Sequence, residues 1–360
     1  MQSVIVAWCK TNENDFESFV PLQFVGMRNK KLNYSNNINI LFISGFEKFS
    51  QEYKNSLKNL GFILHDVSKI FNEFDEKYRA LNRFGDYEKK CFLRWLVIEK
   101  YFNNESIVHY DGDIVFNEDP EIIKKIVNDK TFILQGCPAF TVISNMDWFK
   151  LYKSELDKFV NDIDGYSQDA WQKRNGWEVT FKTRWAGSRF RNIIWSDQDF
   201  LSHLIHTGNI IQDSVESVLL DFQDYLLFEN PLFFHSYDDN FPYKYVRENG
   251  IDFFESIRKD AQDSFYKKRI LFWHMQSSFN FYLSKFIFRK KYLKFIPMGR
   301  LEFNGSANGF EDNLNKRFAK FTNHINRFNV YNYFFKEYDF SGVFKDSVWW
   351  KKGVFNCLNK

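Results

Sequence analysis

Three short apolar runs in the first seventy residues constrain the fold more than any other feature of this 360-residue chain: "SVIVAWC" (3–9), "NINILFISGF" (37–46) and "GFILHDV" (61–67). Each is four to eight strongly apolar residues bounded by polar or glycine-containing sequence, the pattern of a buried strand. The helical stretch "SQEYKNSLKNL" separates the second from the third. A longer helix is predicted over Asp86 to Phe102, where Tyr87, Cys91, Trp95, Ile98 and Phe102 recur at helical spacing on one face. Glu88, Lys89, Arg94 and Lys100 take the opposite face, so this helix reads as amphipathic with a solvated side. Strands alternating with helices predict an α/β domain with a mostly parallel sheet flanked by helices. In such sheets ligands bind at the carboxyl ends of the strands.

The run "SIVHYDGDIVFNEDP" (106–120) follows that helix and carries two aspartates one residue apart. Asp-Gly between strand-like runs is a signal for a two-residue type I′ hairpin, with Ile107, Val108 and Tyr110 pairing with Ile114, Val115 and Phe116. The other reading uses the strand period of two, which puts Asp111 and Asp113 on one side. Two carboxylates at a strand end suit a hard divalent cation that keeps waters and phosphates in its shell, and Gly112 lets a ligand approach the backbone.

Further along, "TFILQGCPAFTVIS" (131–144) reads as strand and "MDWFKLYKSELDKFV" as helix. Residues 162–192 read as loop-rich, ending in the basic run Lys182, Arg184, Arg189 and Arg191, and "WSDQDFLSHLIHTG" (195–208) starts a helix. "PLFFHSYDD" and "RILFWHMQSS" read as strands ending in histidine-bearing turns. The four cysteines are scattered with no C-x-x-C pair, which predicts reduced thiols in a cytoplasmic protein. The opening "MQSVIVAWCK" lacks the basic and apolar regions of a signal peptide, and no apolar run is long enough to span a bilayer. Charge is uneven: residues 281–360 hold 15 Lys+Arg against 6 Asp+Glu within a chain of net charge +3, leaving the preceding body acidic. We therefore expect a catalytic domain over 1–278 and a basic, aromatic, helical C-terminal region over 279–360. Its segment "FYLSKFIFRKKYLKFIP" either caps the domain or lies on the anionic cytoplasmic face of a membrane.

An ordered set of motifs carries a family resemblance. "CFLRWLVIEKYFNNESIVHYDGDIVF" has an Arg-bearing helix followed by a strand ending in D-x-D; Asp197, Gln198 and Asp199 then open a helix, and His274 stands in "FWHMQSS". This order resembles the GT-A nucleotide-sugar glycosyltransferases, most closely the retaining galactosyl- and glucosyltransferases of the glycogenin and lipopolysaccharide type. The resemblance implies a Rossmann-like GT-A domain that moves a hexose from a nucleotide sugar, UDP-linked, to a glycan or lipid-linked glycan, with retention. It implies Mn²⁺ or Mg²⁺ held by Asp111, Asp113 and His274, with His235 as a rival ligand. Trp8, Lys10, Thr11, Asn12, Arg94 and Asp111 are then expected around the nucleotide, and Asp197 and Gln198 near the anomeric carbon. Arg94 could fork onto ribose, phosphate or an aspartate. The sequence departs from the family in "CPAF" after the strand following D-x-D, and in Ser277 and Asn280 where the family has Gly and Lys after the histidine.

Each piece also has a plainer reading. Ser196 with Asp199 makes a capping box, and acidic residues belong in a first helical turn anyway. His203 and His206 read as structural. A haloacid-dehalogenase-like phosphotransferase would need its Asp-x-Asp near the N-terminus followed by Gly-Thr or Gly-Val, whereas Ile-Val follows Asp113. A nucleic-acid-binding protein using the basic tail is opposed by the acidic body, and no nucleic-acid partner is expected.

Overall fold

The computed structural model describes residues 1–8, 22, 25–26, 28–49, 51–112, 114–134, 138–173, 194–213, 220–222, 225–228, 243–248, 251–256 and 267–274. The expected C-terminal region 279–360, the strand "PLFFHSYDD" and the basic run 182–191 lie outside them.

The apolar runs form strands as expected. Strands β1 (Gln2–Trp8), β2 (Asn39–Ser44) and β3 (Ile63–Asp66) lie parallel, and β4 (Ile107–Tyr110) adds parallel to β1 on its other side. Helices α1 (Gln51–Leu60), α2 (Ser68–Lys77) and α3 (Asp86–Phe102) make the crossovers that parallel pairing demands. Helix α3 ends on Asn103 with φ 47°, a left-handed position that asparagine tolerates. Beyond β4 the sheet continues antiparallel through β7 (Phe140–Ile143) and β6 (Thr131–Ile133), in the order β3-β2-β1-β4-β7-β6. The expected single strand over 131–144 is thus two. The fold is mixed α/β, with a mostly parallel central sheet flanked by helices.

Helix α4 (Pro120–Ile126) starts on Asp119, whose side chain accepts the Glu121 N–H at 2.9 Å, with proline in the first turn where no N–H is needed. Helices α5 (Asp147–Asn161), α6 (Ile163–Gln172) and α7 (Asp197–Thr207) complete the helical layer. Helix α6 occupies the first part of the stretch 162–192 that reads as loop-rich. Its glycine and serine hide the helix in the sequence, but Asp162 caps the Gly165 N–H, and Tyr166 packs edge-on to Phe159. Helix α3 corrects a second expectation, because Lys90 through Ile98 are buried without interruption. It is the central helix of the core rather than one with a solvated face. Trp95, Trp148 and Tyr152 pack there, Trp148 and Tyr152 with stacked rings.

A second sheet was not foreseen. Strands β8 (Leu220–Phe222), β9 (Tyr225–Phe228), β10 (Tyr243–Glu248), β11 (Ile251–Ser256) and β12 (Lys267–His274) run in the order β10-β11-β12-β9-β8, mainly antiparallel. Strand β5 (Ile114–Phe116) joins it by pairing antiparallel with β12. The D-G-D hairpin is thereby overturned. Strand β4 pairs with β1 and β7, β5 pairs with β12, and the two runs flanking the motif belong to different sheets.

Candidate active site

Asp111 directly follows β4, at the carboxyl end of the parallel strands, next to the end of β1 where Trp8 stands. Its backbone N–H bonds the Ala139 carbonyl at 2.7 Å, and its own carbonyl accepts the Ile114 N–H at 3.1 Å. The motif is therefore a turn, but one that carries the chain from the first sheet to the second. Gly112 is not in the left-handed region that a type I′ turn would impose, and a Cβ there would meet Leu22 at an ordinary 3.5 Å.

Beneath this turn lies a buried ion cluster. The Arg94 side chain is 6% exposed; its Nε and one Nη donate to Asp197 Oδ2 at 3.1 and 2.7 Å, and its other Nη donates to Asp111 Oδ1 at 2.9 Å. Trp95 Nε1 donates to the same Asp197 oxygen at 3.2 Å. Of the partners foreseen for Arg94, the structure shows aspartate. A guanidinium is tolerated at this depth because two carboxylates compensate it: burial pulls its pKa down, but Asp197 and Asp111 outweigh that and hold it well above the ordinary value. Two carboxylates share one cation, so the cluster is net negative even before Asp113 is counted.

The two aspartates differ in access. Asp197 is buried at the start of α7, whereas the Asp111 side chain is 34% exposed. The bond that Arg94 makes to Asp111 is to one carboxylate oxygen, Oδ1. Gln198 is half-buried in the first turn of α7. The capping box is also real: Ser196 accepts the Asp199 N–H, and Asp199 Oδ2 accepts the Ser196 N–H at 3.0 Å. Cap and cluster coexist because they use different aspartates.

The structure adds residues that the sequence did not single out. His109, two residues before Asp111 and wholly buried, contacts the Pro138 carbonyl through Nδ1 at 3.1 Å, so Nδ1 carries the proton. Burial, with Arg94 beside it, drops its pKa to about 3. Tyr87, read as a core position, is 49% exposed. Its ring meets Trp8 edge-on at 5.5 Å. Period-four spacing groups Tyr87 and Cys91 on one face; it could not show that this face meets a strand end.

Lys10, Thr11, Asn12, Asp113 and His235 lie outside the described residues. So does the His274 side chain, but its backbone is placed: His274 pairs with Ile114, Trp273 with Val115 and Phe272 with Phe116. The histidine foreseen from the far end of the domain thus stands across the ladder from the residue that follows Asp113. Among the described residues no three His, Cys, Asp or Glu side chains gather as a metal site, and no helix is long and apolar enough to cross a membrane.

No family model and no curated protein matches the chain. Among solved structures, the chain is similar to mouse xyloside xylosyltransferase 1 in its apo form, at 12% identity and a TM-score of 0.41, covering 66% of this chain and 91% of that one. A likeness of that size carries no argument, and the site rests on its own geometry.

Proposed function

We propose that the protein is a metal-dependent glycosyltransferase that moves a hexose from a nucleoside diphosphate sugar, UDP-linked, to a glycan or lipid-linked glycan. The observation that carries this reading is the Arg94 fork. It ties Asp111, at the carboxyl end of a central parallel strand, to Asp197, at the start of the helix bearing Gln198. The net negative charge, the half-exposed Asp111 carboxylate and the register of His274 suit a cation in an oxygen-rich shell with one imidazole, a donor set that leans toward Mn²⁺. Asp111, Asp113 and His274 would hold it. Bound there, the ion supplies Lewis-acid stabilisation of the charge that builds on the departing diphosphate.

The chain's own residues set the rest. Arg94 orients Asp111 toward the donor. Asp197 directs one oxygen to three N–H donors of Arg94 and Trp95 and is buried, so it serves as an anchor rather than as a base on the acceptor hydroxyl. Gln198 is then the first-turn group left for the anomeric carbon. An amide is a poor general base, which favours retention. The acceptor reading includes a lipid-linked glycan, met at an anionic surface by the basic stretch 279–360.

Screening nucleotide sugars for Mn²⁺-dependent hydrolysis or transfer tests this directly. Turnover should fall by orders of magnitude in EDTA and in Asp113→Asn, with the far-UV spectrum unchanged, and the first product from an α-linked donor should show an α-anomeric proton signal. Equal rates in EDTA and Mn²⁺ would sink the metal reading. A β-linked product would overturn retention.

A further inference from the structure

We infer that the ion pair of half-buried Arg269 with buried Glu118, together with Tyr34 and Asn117, is a latch that sets the register of β12 on β5 and so positions His274 beside the D-G-D turn. The inference rests on the metal-site reading above, since it gives the latch its purpose.

The β5–β12 ladder has little in its apolar residues to fix its own register. Strand β5 is Ile114, Val115 and Phe116, all buried; on β12, Phe272 stands opposite Phe116, and Ile270 and Leu271 just before it are equally buried, so successive residues there are covered on both faces. Where both faces of a strand are covered and apolar, a slip by one residue exchanges one hydrophobic side chain for another, so burial barely discriminates between registers. Yet that slip would turn His274 to the opposite face and move it one residue from its place opposite Ile114.

The discrimination comes from a polar set just past β5. The Asn117 and Glu118 N–H groups both donate to the Leu271 carbonyl, at 2.8 and 3.1 Å. From β12, Arg269 donates through one Nη to Glu118 Oε2 at 2.7 Å, and through the other to the Asn117 carbonyl at 2.9 Å and the Tyr34 hydroxyl at 3.3 Å. Tyr34 itself donates to the Asn117 carbonyl at 2.8 Å, and Arg28 donates to Asn117 Oδ1 at 2.9 Å. The second Glu118 oxygen accepts the Asp119 N–H at 2.9 Å. Glu118 and Asn117 are each only 4% exposed. A slipped β12 would carry Arg269 to the other face and leave a buried carboxylate without its cation, the arrangement that interiors tolerate least. Polar groups here choose among alignments that the apolar ones leave nearly equal. Arg269 and Glu118 are thus positioning residues: they touch neither substrate nor metal and act through the strand that carries His274.

Disulfide trapping in the full chain tests the register itself. Val115→Cys with Trp273→Cys pairs residues opposed in the observed ladder, and Val115→Cys with His274→Cys reports a slip by one, each cross-link being identified by peptide mass. Adding Glu118→Gln should lower the first cross-link and raise the second. In the chain without added cysteines, Glu118→Gln should weaken Mn²⁺ binding about tenfold or more, read from the electron paramagnetic resonance signal of free Mn²⁺. Arg269→Lys keeps the charge and should recover part of the affinity that Arg269→Met loses. Tyr34→Phe removes one hydroxyl only; it should shift both readouts less, in the same direction, and it reads the latch should Glu118→Gln fail to fold. Unchanged cross-linking and Mn²⁺ affinity in these variants would overturn the inference. A parent chain that binds no Mn²⁺ would remove the metal site and the latch's role with it, even if the register shifts. A shifted register with full Mn²⁺ affinity would break the link to His274 while leaving the metal site standing.

Discussion

Arg94 shows how much one side chain can decide. In the sequence it stands among the polar residues of an amphipathic helix, yet in the structure it is buried between carboxylates drawn from β4 and α7. Its neighbour Trp95 completes the hold on Asp197 through the indole N–H. Such a cluster is costly to break from one side, because removing a partner leaves the other buried and unpaired; a loss of about 3–5 kcal/mol is typical. Asp197→Asn should therefore lower the urea midpoint by an amount corresponding to about 3 kcal/mol, together with a loss of turnover as Arg94 and Asp111 relax. A general base at this position would behave otherwise: the asparagine variant would keep its stability and lose only the chemical step. Urea titration beside initial rates separates the two, and full stability with abolished transfer would return Asp197 to the role of base. The motif itself was legible in the sequence, since Asp111, Asp197 and Arg94 were all singled out there. An aspartate was among the partners foreseen for Arg94, but not that it would be Asp111 and Asp197 together, because Arg94 and Asp197 are separated by 103 residues and meet through the packing of α3 against α7.

At the level of elements, α7 joins a local rule to a distant contact. Ser196 and Asp199 exchange the reciprocal bonds of a capping box, and Asp199 Oδ2 also accepts the Trp195 N–H at 3.1 Å. These bonds fix the direction in which the helix starts and hence where Asp197 and Gln198 stand. Ser196→Ala leaves the Asp199 N–H without its acceptor and should cost about 1 kcal/mol. Because the same turn presents Gln198, kcat should fall several-fold while KM for the donor moves little; a variant with lower stability and unaltered kcat would show that the cap supports the helix alone. Elements with a clear period were readable from residue order: β1, β2, β3, α3 and α5 all stand near their predicted places. Those that tertiary contacts create were not. Helix α6 holds through Asp162 at its cap and Tyr166 and Ala170 in the core, against its own glycine and serine. The hairpin failed for the same reason. Asp-Gly does make a turn, but the choice of partner strand lies with β12, more than 150 residues away, and no local signal contains it.

For the molecule as a whole, the D-G-D turn is where the chain leaves the mostly parallel sheet and enters the mainly antiparallel one, so the candidate site stands where the two sheets meet. The α/β sheet was predictable because each parallel crossover leaves a helix-length pattern between strands. The second sheet was not, since antiparallel pairing needs no crossover helix and so leaves no such pattern. What joins the sheets is aromatic packing: Phe272 of β12 lies 4.7 Å from Phe140 of β7, and Tyr110 at the end of β4 packs edge-on against Phe116 of β5 at 4.9 Å. All four rings are buried. If this seam makes one cooperative unit, damage on the β12 side must be felt in β4. Phe272→Ala removes a wholly buried ring and should cost about 3–5 kcal/mol. In hydrogen exchange followed by mass spectrometry, amides of Ile107–Tyr110 should lose protection by the same factor as those of β12, because both would exchange through the same global opening. Loss confined to β12, with β4 as protected as before, would make the second sheet a separate folding unit. The proposed metal shell, with Asp111 following a strand of one sheet and His274 on the other, would then have to assemble from two parts that open independently.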